Sequence, residues 1–341
     1  MRKKVAILRG GPSSEYDVSL KTGRAIFEAL INDHDLIDIV VDKQGVWHVD
    51  GLEKTPQKAL QNIDAVFNAM HGEYGEDGKV QQILEQIKVP YTGARALAAA
   101  LSMNKVKTKE IYAKNGIKTP LHKVISKPDS EAGLDFQAML VFRNFTMPVV
   151  LKPIDKGSSV GVSIARNFET LKNTMISLYQ DNNQILVEEY IQGKEATVGV
   201  VDGLRNQKHY SLYPVEIRKP NQQDLFDYNL KYPSFIKKET EKQSSVDLES
   251  INTILKAEMI CPGSFSKEES KMLQEIAVKA HQILDLRHYS RTDFIVTPRR
   301  GIYALETNAL PGLTSDSLLP HSLQVHGVSY KEFLEHILGL L

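Results

Sequence analysis

The sequence predicts a mixed α/β protein, with a parallel α/β unit at its N-terminal end and enough residues, 341, for two or three domains. The apolar run from Val5 to Leu8 predicts a buried strand, a glycine-rich loop follows, and apolar residues at helical spacing begin at Ser19. A second strand is expected over residues 35–41. Strand, loop, helix and strand in this order are typical of a parallel sheet covered by helices.

Composition and charge exclude several classes of protein. The formal net charge is +0, so composition gives no argument for binding nucleic acid or a membrane surface. The single cysteine, Cys261, allows no disulfide within the chain, which fits a reducing cytosol. The apolar run that ends at Arg9 is too short for a signal peptide, and no stretch approaches the roughly 18 apolar residues of a membrane span. We therefore expect a cytoplasmic protein.

Two loops at the carboxyl ends of predicted strands carry candidate functional residues. The first loop ends in Glu15, and ligands of parallel sheets bind at such strand ends. Glu15 could instead only complement the dipole of the following helix. The strand predicted over residues 65–70 runs into a loop, residues 71–78, with three glycines, three acids and His71. Such loops carry function more often than cores do, although a single histidine is commonly an ordinary loop residue.

The centre of the chain is typical of an anion-binding flap. Residues 148–153 predict a strand that contains Lys152, a turn rich in glycine and serine follows, and a second β-branched run comes next. Backbone N–H groups around Gly157 and the hydroxyls of Ser158 and Ser159 can converge on an anion beside the lysine. The P-loop pattern is absent, and this context favours a flap over a triphosphate. Alone, the stretch is equally typical of an ordinary hairpin tip.

A lysine-rich helix and a predicted hinge lie on either side of this flap. The helix is expected to be capped by Asn104, and its lysines would ordinarily form a solvated face: Lys105, Lys107, Lys109 and Lys114. Lys105 lies in the first turn, where a cation opposes the helix dipole, so a bound anion would explain it. Strands predicted over residues 185–191 and 196–201 flank a hinge of the kind that contacts a purine, and Glu195 could accept hydrogen bonds from a ribose.

Two paired strands near the C-terminal end predict a metal site. Side chains alternate between the faces of a strand, so Arg291 and Asp293 share one face of the first strand, and Glu306 and Asn308 share one face of the second. If the register aligns them, three oxygen ligands meet beside a cation, and oxygen ligands are what Mg²⁺ prefers. Acid and amide groups inside an apolar strand would otherwise cost desolvation free energy.

In this order, these motifs resemble the D-alanine–D-alanine ligases of the ATP-grasp superfamily. The matching segments are residues 10–19, His71-Gly72 with residues 75–78, residues 102–105, Lys152-Pro153 with residues 157–161, and Glu306-Thr307-Asn308 with Pro311-Gly312. The resemblance implies a three-domain ATP-grasp fold: a substrate-binding domain over residues 1–101, a central subdomain over 102–186, and a C-terminal subdomain over 187–341 with a lid loop at about 225–260. ATP would lie between the last two.

The resemblance implies a nucleotide site with a metal cluster. The phosphates would be bound by three lysines and covered by the serine loop: Lys105, Lys152 and Lys231 with Ser158 and Ser159. Adenine and ribose would contact Glu188, Glu189, Ile191 and Glu195. Magnesium, with manganese as an alternative and two divalent ions expected, would be held by Asp293, Glu306 and Asn308.

The resemblance also implies roles toward two amino-acid substrates. Glu15 would bind the ammonium group of the first D-alanine, with His71 nearby. Arg291 and the Gly312 backbone would face the tetrahedral oxyanion, while Ser317 and Leu318 would hold the carboxylate of the second substrate. Tyr232 matches a lid tyrosine that hydrogen-bonds toward Ser158 and Glu15 and shields the acyl phosphate from water.

The predicted activity is the ATP-dependent joining of two D-alanines through an acyl phosphate, for peptidoglycan precursor synthesis. A related ligase with a different second substrate, such as D-lactate, D-serine or another amino acid, is the first alternative. Tyr232 favours an amine nucleophile over D-lactate, whereas the long polar stretch over residues 233–259 departs from the family. A nucleotide-binding protein without turnover is the second alternative. The resemblance further implies a homodimer, and neither nucleic acid nor a membrane is an expected partner.

Overall fold

A computed structural model of the chain describes residues 2–157, 160–219, 257–314 and 317–341. The strands within these ranges form three sheets, of five, four and six strands, which follow one another along the chain. The predictions for Ser158, Ser159, Lys231 and Tyr232 lie outside the described residues, as does the predicted lid loop up to residue 256. Within the described ranges, no helix combines the length and the apolar character that a membrane span requires.

The first sheet is the predicted parallel α/β unit. Its strands are β1 (Lys4–Gly10), β2 (Asp35–Val41), β3 (Trp47–Val49), β4 (Leu52–Lys54) and β5 (Ala65–Asn68), in the order β4-β3-β2-β1-β5. Strand β1 is parallel to both β2 and β5. The helices of this part are α1 (Tyr16–Leu30), α2 (Pro56–Ala59), α3 (Lys79–Ile87) and α4 (Ala96–Met103). The loops after β1 and β5 therefore emerge side by side at one edge of the sheet.

The second sheet is antiparallel and carries the predicted flap. After helix α5 (Lys105–Lys114), its strands are β6 (His122–Ser126), β7 (Val149–Pro153), β8 (Ser163–Ala165) and β9 (Gln184–Glu189), in the order β6-β9-β7-β8. Helices α6 (Glu131–Asn144) and α7 (Phe168–Asp181) share an apolar core with these strands. The predicted domain boundary between residues 186 and 187 falls inside β9, and the division into domains stays a prediction.

The third sheet carries the predicted metal ligands. Its strands are β10 (Lys194–Asp202), β11 (His209–Ser211), β12 (Val215–Arg218), β13 (Glu258–Ile260), β14 (Tyr289–Thr297) and β15 (Gly301–Asn308). The order is β13-β12-β10-β14-β15, with β11 paired to β10. Helices α8 (Lys267–Ile283), α9 (Leu318–Val325) and α10 (Tyr330–Gly339) complete this part. The predicted pairing of β14 with β15 is confirmed.

The first and third parts of the chain share one apolar core. Val5 and Phe67 of the first sheet belong to the same buried cluster as Tyr289 of β14 and Phe333 of α10. Burial of such large side chains contributes roughly 1.5–3 kcal/mol each. Ala69, directly after β5, and Leu310, just after β15, belong to the same cluster, so these two segments pack together.

Helix caps fix where several helices begin. The Asn104 side chain accepts hydrogen bonds from the backbone N–H groups of Val106 and Lys107, as predicted for the start of α5. Ser266 and Glu269 form a reciprocal capping box at the start of α8, which was also expected from the sequence. The cap on α5 fixes Lys105 at the first helical position.

Candidate active site

A cleft between the second and third sheets collects most of the predicted nucleotide and metal residues. The predicted residues that line it are Lys105, Lys152, Glu188, Glu189, Ile191, Glu195, Asp293 and Glu306. Apolar side chains that were not predicted line it as well, namely Val150, Ile217, Phe294 and Leu305. The cleft therefore combines charged groups from distant parts of the sequence with an apolar surface that suits a flat ring.

Glu188 lies between two lysines in the wall of this cleft. Its Oε2 atom is 2.8 Å from Nζ of Lys152, and its Oε1 atom is 2.8 Å from Nζ of Lys109. All three side chains are buried, and Lys109 is 0% exposed. The expectation that Lys109 belongs to a solvated face is therefore wrong, because Glu188 of β9 and Thr119 both bind its ammonium group inside the protein.

The charges of this cluster stabilise one another. Burial alone would raise the pKa of Glu188, but Lys109 and Lys152 outweigh it and lower that pKa to about 2. Burial lowers the pKa of Lys109 to about 8, although Glu188 opposes the shift. Glu188 is therefore a carboxylate at neutral pH, paired with both lysines.

Lys105 is the first residue of helix α5 and lies beside the flap. Its backbone N–H donates to the carbonyl of Ile154 at 3.1 Å, and its Nζ donates to the carbonyl of Lys156 at 2.5 Å. Nζ also lies 3.6 Å from Oε2 of Glu306. A cation in the first turn opposes the helix dipole, and these carbonyl and carboxylate groups offset that cost. Lys105 thus joins the flap to the predicted metal ligands.

The predicted metal ligands come together on β14 and β15. Asp293 lies opposite Glu306 in the register, and Arg291 lies opposite Asn308. The amide Nδ2 of Asn308 donates to Oδ2 of Asp293 at 3.2 Å. The Asp293 carboxylate also accepts hydrogen bonds from Nε and Nη2 of Arg291, each at 2.9 Å. The hydroxyl of Thr197 on β10 donates to Oδ1 of Asp293 at 2.6 Å. Asp293 and Glu306 line the cleft, and the amide of Asn308 lies beside Asp293, so together they offer a donor set that fits Mg²⁺.

A buried hydroxyl cluster fixes these strands from behind. Thr307 lies between two predicted ligands, and its hydroxyl is 2.5 Å from the Tyr112 hydroxyl and 2.8 Å from that of Thr292. Because side chains alternate along a strand, Thr307 faces away from its neighbours Glu306 and Asn308. Tyr112 belongs to α5, so the helix that carries Lys105 is also attached to the metal-ligand strand. Sequence reasoning missed this contact, and the alternation of Thr with Glu and Asn was the available signal.

The hinge residues have contacts of their own. Oε1 of Glu189 accepts a hydrogen bond from the backbone N–H of Leu121 at 2.9 Å. Oε2 of Glu189 accepts one from Nη2 of Arg300 at 2.8 Å. Glu195 accepts Nζ of Lys219 at 2.7 Å. Lys219, which was not predicted, brings a further cation to the cleft. The roles of these acids toward adenine and ribose stay predictions.

Glu15 and His71 meet at the strand ends of the first sheet, as predicted. Glu15 is 5% exposed, and Oε2 lies so near Gly157 that a Cβ atom there would be 3.2 Å away. The imidazole of His71 lies 2.9 Å from the hydroxyl of Thr22 and 3.3 Å from Oε1 of Glu76. Burial lowers the pKa of His71, but Glu76 and Glu15 outweigh it, so the pKa is raised. Glu15 therefore lies against Gly157 of the flap. The nearby imidazole of His71 favours its own protonated form.

The segment after β15 brings the remaining predicted residues together. A Cβ atom on Gly312 would lie 2.9 Å from the hydroxyl of Ser317, so the two residues are in close contact. The Ser317 hydroxyl lies 2.8 Å from that of Thr314. Leu318 is buried in an apolar cluster with Val215 and Ile217. The side chains of Ser317 and Leu318 are thus fixed at the start of α9.

Comparison with known proteins finds relatives over nearly the whole chain. Family models described as the C-terminus and the N-terminus of D-ala D-ala ligase match residues 111–339 and 48–94. A D-alanine–D-alanine ligase of Aquifex aeolicus is 35% identical over 98% of this chain and 99% of its own.

Solved structures of two relatives have the same overall fold. The D-alanine–D-alanine ligase of Bacillus anthracis superposes with a TM-score of 0.77 at 28% identity, over 99% of this chain and 96% of its own. The VanG D-Ala:D-Ser ligase of Enterococcus faecalis superposes with a TM-score of 0.79 at 26% identity, over 100% and 99%.

Proposed function

This chain belongs to the D-alanine–D-alanine ligase family, and we propose that it joins two D-alanines with ATP through an acyl phosphate. The observation that carries this proposal is the single cleft lined by Lys105 and Lys152 from one side and by Asp293 and Glu306 from the other. Lysines bind phosphate, and carboxylates bind the divalent ion that accompanies it. A cleft of this composition suits a metal-bound triphosphate.

The nucleotide would bind with its phosphates beside the lysines of the cleft. Nζ of Lys105, held between the flap and Glu306, would contact the phosphates together with Nζ of Lys152. Asp293, Glu306 and Asn308 would hold one or two divalent ions, Mg²⁺ or Mn²⁺. When bound, the metal supplies charge neutralisation and orientation of the phosphate oxygens.

The first D-alanine would bind at the strand ends of the first sheet. Glu15 pairs with its ammonium group, which leaves the carboxylate free to attack the γ-phosphorus of ATP and displace ADP. The mixed anhydride that forms is an acyl phosphate. Glu15 lies against Gly157 of the flap, so the substrate carboxylate would be presented next to the nucleotide.

The second D-alanine would attack from the segment after β15. Its neutral amine adds to the acyl carbonyl carbon, and the resulting oxyanion would be stabilised by Arg291 and the backbone N–H of Gly312. The carbonyl re-forms as inorganic phosphate leaves, and the nitrogen loses a proton. Ser317 and Leu318 would bind the carboxylate end of this substrate. Outside the described residues, Ser158, Ser159, Lys231 and Tyr232 keep their predicted roles over the phosphates and at the lid.

One observation favours a second candidate function. The VanG D-Ala:D-Ser ligase matches the whole chain at a TM-score of 0.79. This match supports D-serine as the alternative second substrate. We further propose a cytoplasmic homodimer that serves peptidoglycan precursor synthesis, with the three domains divided as the sequence predicts.

The decisive experiment is phosphate release with ATP, Mg²⁺ and D-alanine as the sole amino acid. The wild-type protein should release phosphate only when D-alanine is present and should form D-alanyl-D-alanine, identified by mass spectrometry. Parallel reactions with added D-serine or D-lactate separate the alternatives. No phosphate release with any of these acceptors would refute the ligase proposal.

A variant of a predicted metal ligand tests the site itself. Glu306→Gln keeps the shape of the side chain and removes its charge, so phosphate release should fall at least about a hundredfold. Glu53→Gln, an exposed residue of β4, is the matched control and should retain wild-type turnover. Wild-type rates in Glu306→Gln would remove the metal assignment.

A further inference from the structure

Lys109 is a buried cation for which the proposed mechanism has no direct use. It lies one helical turn after Lys105 on α5, is 0% exposed, and its Nζ atom contacts Oε1 of Glu188 and the hydroxyl of Thr119. Lysine is almost never fully buried unless its charge is paired. The burial of an ammonium group at this point therefore requires an explanation.

The geometry connects Lys109 to the phosphate-binding lysine. Glu188 binds Lys152 with one carboxylate oxygen and Lys109 with the other, each at 2.8 Å. Lys152 and Glu188 line the cleft, whereas Lys109 is fully enclosed behind them. A carboxylate held by two lysines has its position fixed from both sides, and it fixes the Nζ of Lys152 in turn.

The charge balance gives this arrangement a consequence for anion binding. Lys152 paired with Glu188 alone would present a net charge of zero to the cleft. Lys109 adds one positive charge, because the carboxylate of Glu188 opposes the lowering of its pKa by burial. In the low dielectric of a buried site, one unit of charge changes anion affinity strongly.

We propose that Lys109 is a positioning residue that neutralises Glu188, so that Lys152 is aimed into the cleft and keeps a positive charge available for the nucleotide phosphates. This inference rests on the proposed function in that the anion is taken to be ATP. Lys109 itself touches neither the nucleotide nor the reacting atoms. If Lys109 were only structural, its substitution would change the stability of the fold, and restoring the net charge of the cluster would not restore ATP binding.

The test is a charge cycle measured by calorimetric titration with Mg²⁺-ATP, which needs no turnover. Lys109→Met keeps the length of the side chain and removes its charge, so the Kd for ATP should rise at least tenfold. Adding Glu188→Gln restores the net charge, and the double variant should bind ATP at least threefold more tightly than Lys109→Met. Lys107→Met, exposed on the same helix, is the matched control and should bind like the wild type.

Two results would overturn the inference. One is a Kd for Lys109→Met equal to that of the wild type, and the other is a double variant that binds no better than Lys109→Met. If Lys109→Met does not fold, as judged by circular dichroism, Lys109→Gln removes the charge while keeping a polar contact to Glu188 and Thr119, and the same tenfold rise is expected. Because binding is measured directly, a failure of D-alanine-dependent phosphate release refutes the proposed function without deciding the role of Lys109.

Discussion

The stability of the protein should depend on the protonation of one buried histidine, His288. Its Nδ1 atom accepts the backbone N–H of Gly93 at 3.0 Å, and its own backbone N–H donates to Asp202 at 2.6 Å. The imidazole therefore links the end of the first part of the chain to the third sheet. Only the neutral ring offers a lone pair on Nδ1, so protonation breaks this link.

The magnitude follows from the pKa of this histidine. Burial, reinforced by the nearby Arg287, lowers the pKa of His288 from 6.5 to about 4, although Asp202 opposes the shift. Between these values the unfolded chain binds more protons than the folded one, so stability rises with pH. The contribution is fully present above about pH 6.5 and is lost as pH falls to 4, and it amounts to about 3 kcal/mol.

Urea unfolding at pH 7.5 and at pH 4 measures this contribution. His288→Gln offers an amide oxygen to Gly93 but does not titrate, so the wild type should lose about 3 kcal/mol more than this variant between the two pH values. His48→Gln removes a partly exposed histidine paired with Asp42 and controls for histidine titration in general. Equal losses in the wild type and in His288→Gln would refute the reasoning.

Two further predictions concern the backbone and the lid. Gly10→Ala should lower the melting temperature severely or prevent folding, because φ is +91° and the new Cβ atom would lie 2.2 Å from the Val41 carbonyl oxygen; an unchanged melting temperature would contradict this. Tyr232→Phe, which is argued from the sequence alone, should raise the yield of D-alanyl-D-lactate relative to D-alanyl-D-alanine. An unchanged product ratio in a competition assay would show that this residue does not select the nucleophile.

The metal-ligand strands illustrate what the sequence could predict. Asp293 and Glu306 lie in apolar strands of alternating pattern, and that period fixes which side chains share a face before any register is known. The turn between the strands is short, so few registers are available, and the observed one sets Asp293 against Glu306. The parallel unit could be predicted for a similar reason, since its first strand, loop and helix are each indicated by a pattern of neighbouring residues.

Lys109 illustrates what the sequence could not predict. Helix α5 carries four lysines and no clear apolar stripe, so charge alone indicated a solvated face. Its partner Glu188 is far away along the chain, and only the folded structure reveals the ion pair between them. The spacing of Lys105 and Lys109, one turn apart on one face, was the available signal. The apolar lining of the cleft was likewise hidden, because its residues come from several separate strands.

Helix α5 connects the second and third sheets, which lie on the two sides of the nucleotide cleft. Lys109 attaches it to the second sheet through Glu188, and Tyr112 attaches it to the third through Thr307. The distance from the phosphate lysines to the metal carboxylates therefore depends on Lys109 and Tyr112, which are fully buried. A substitution at Tyr112 or Thr307 would therefore change the width of the cleft while every residue that lines it stays the same.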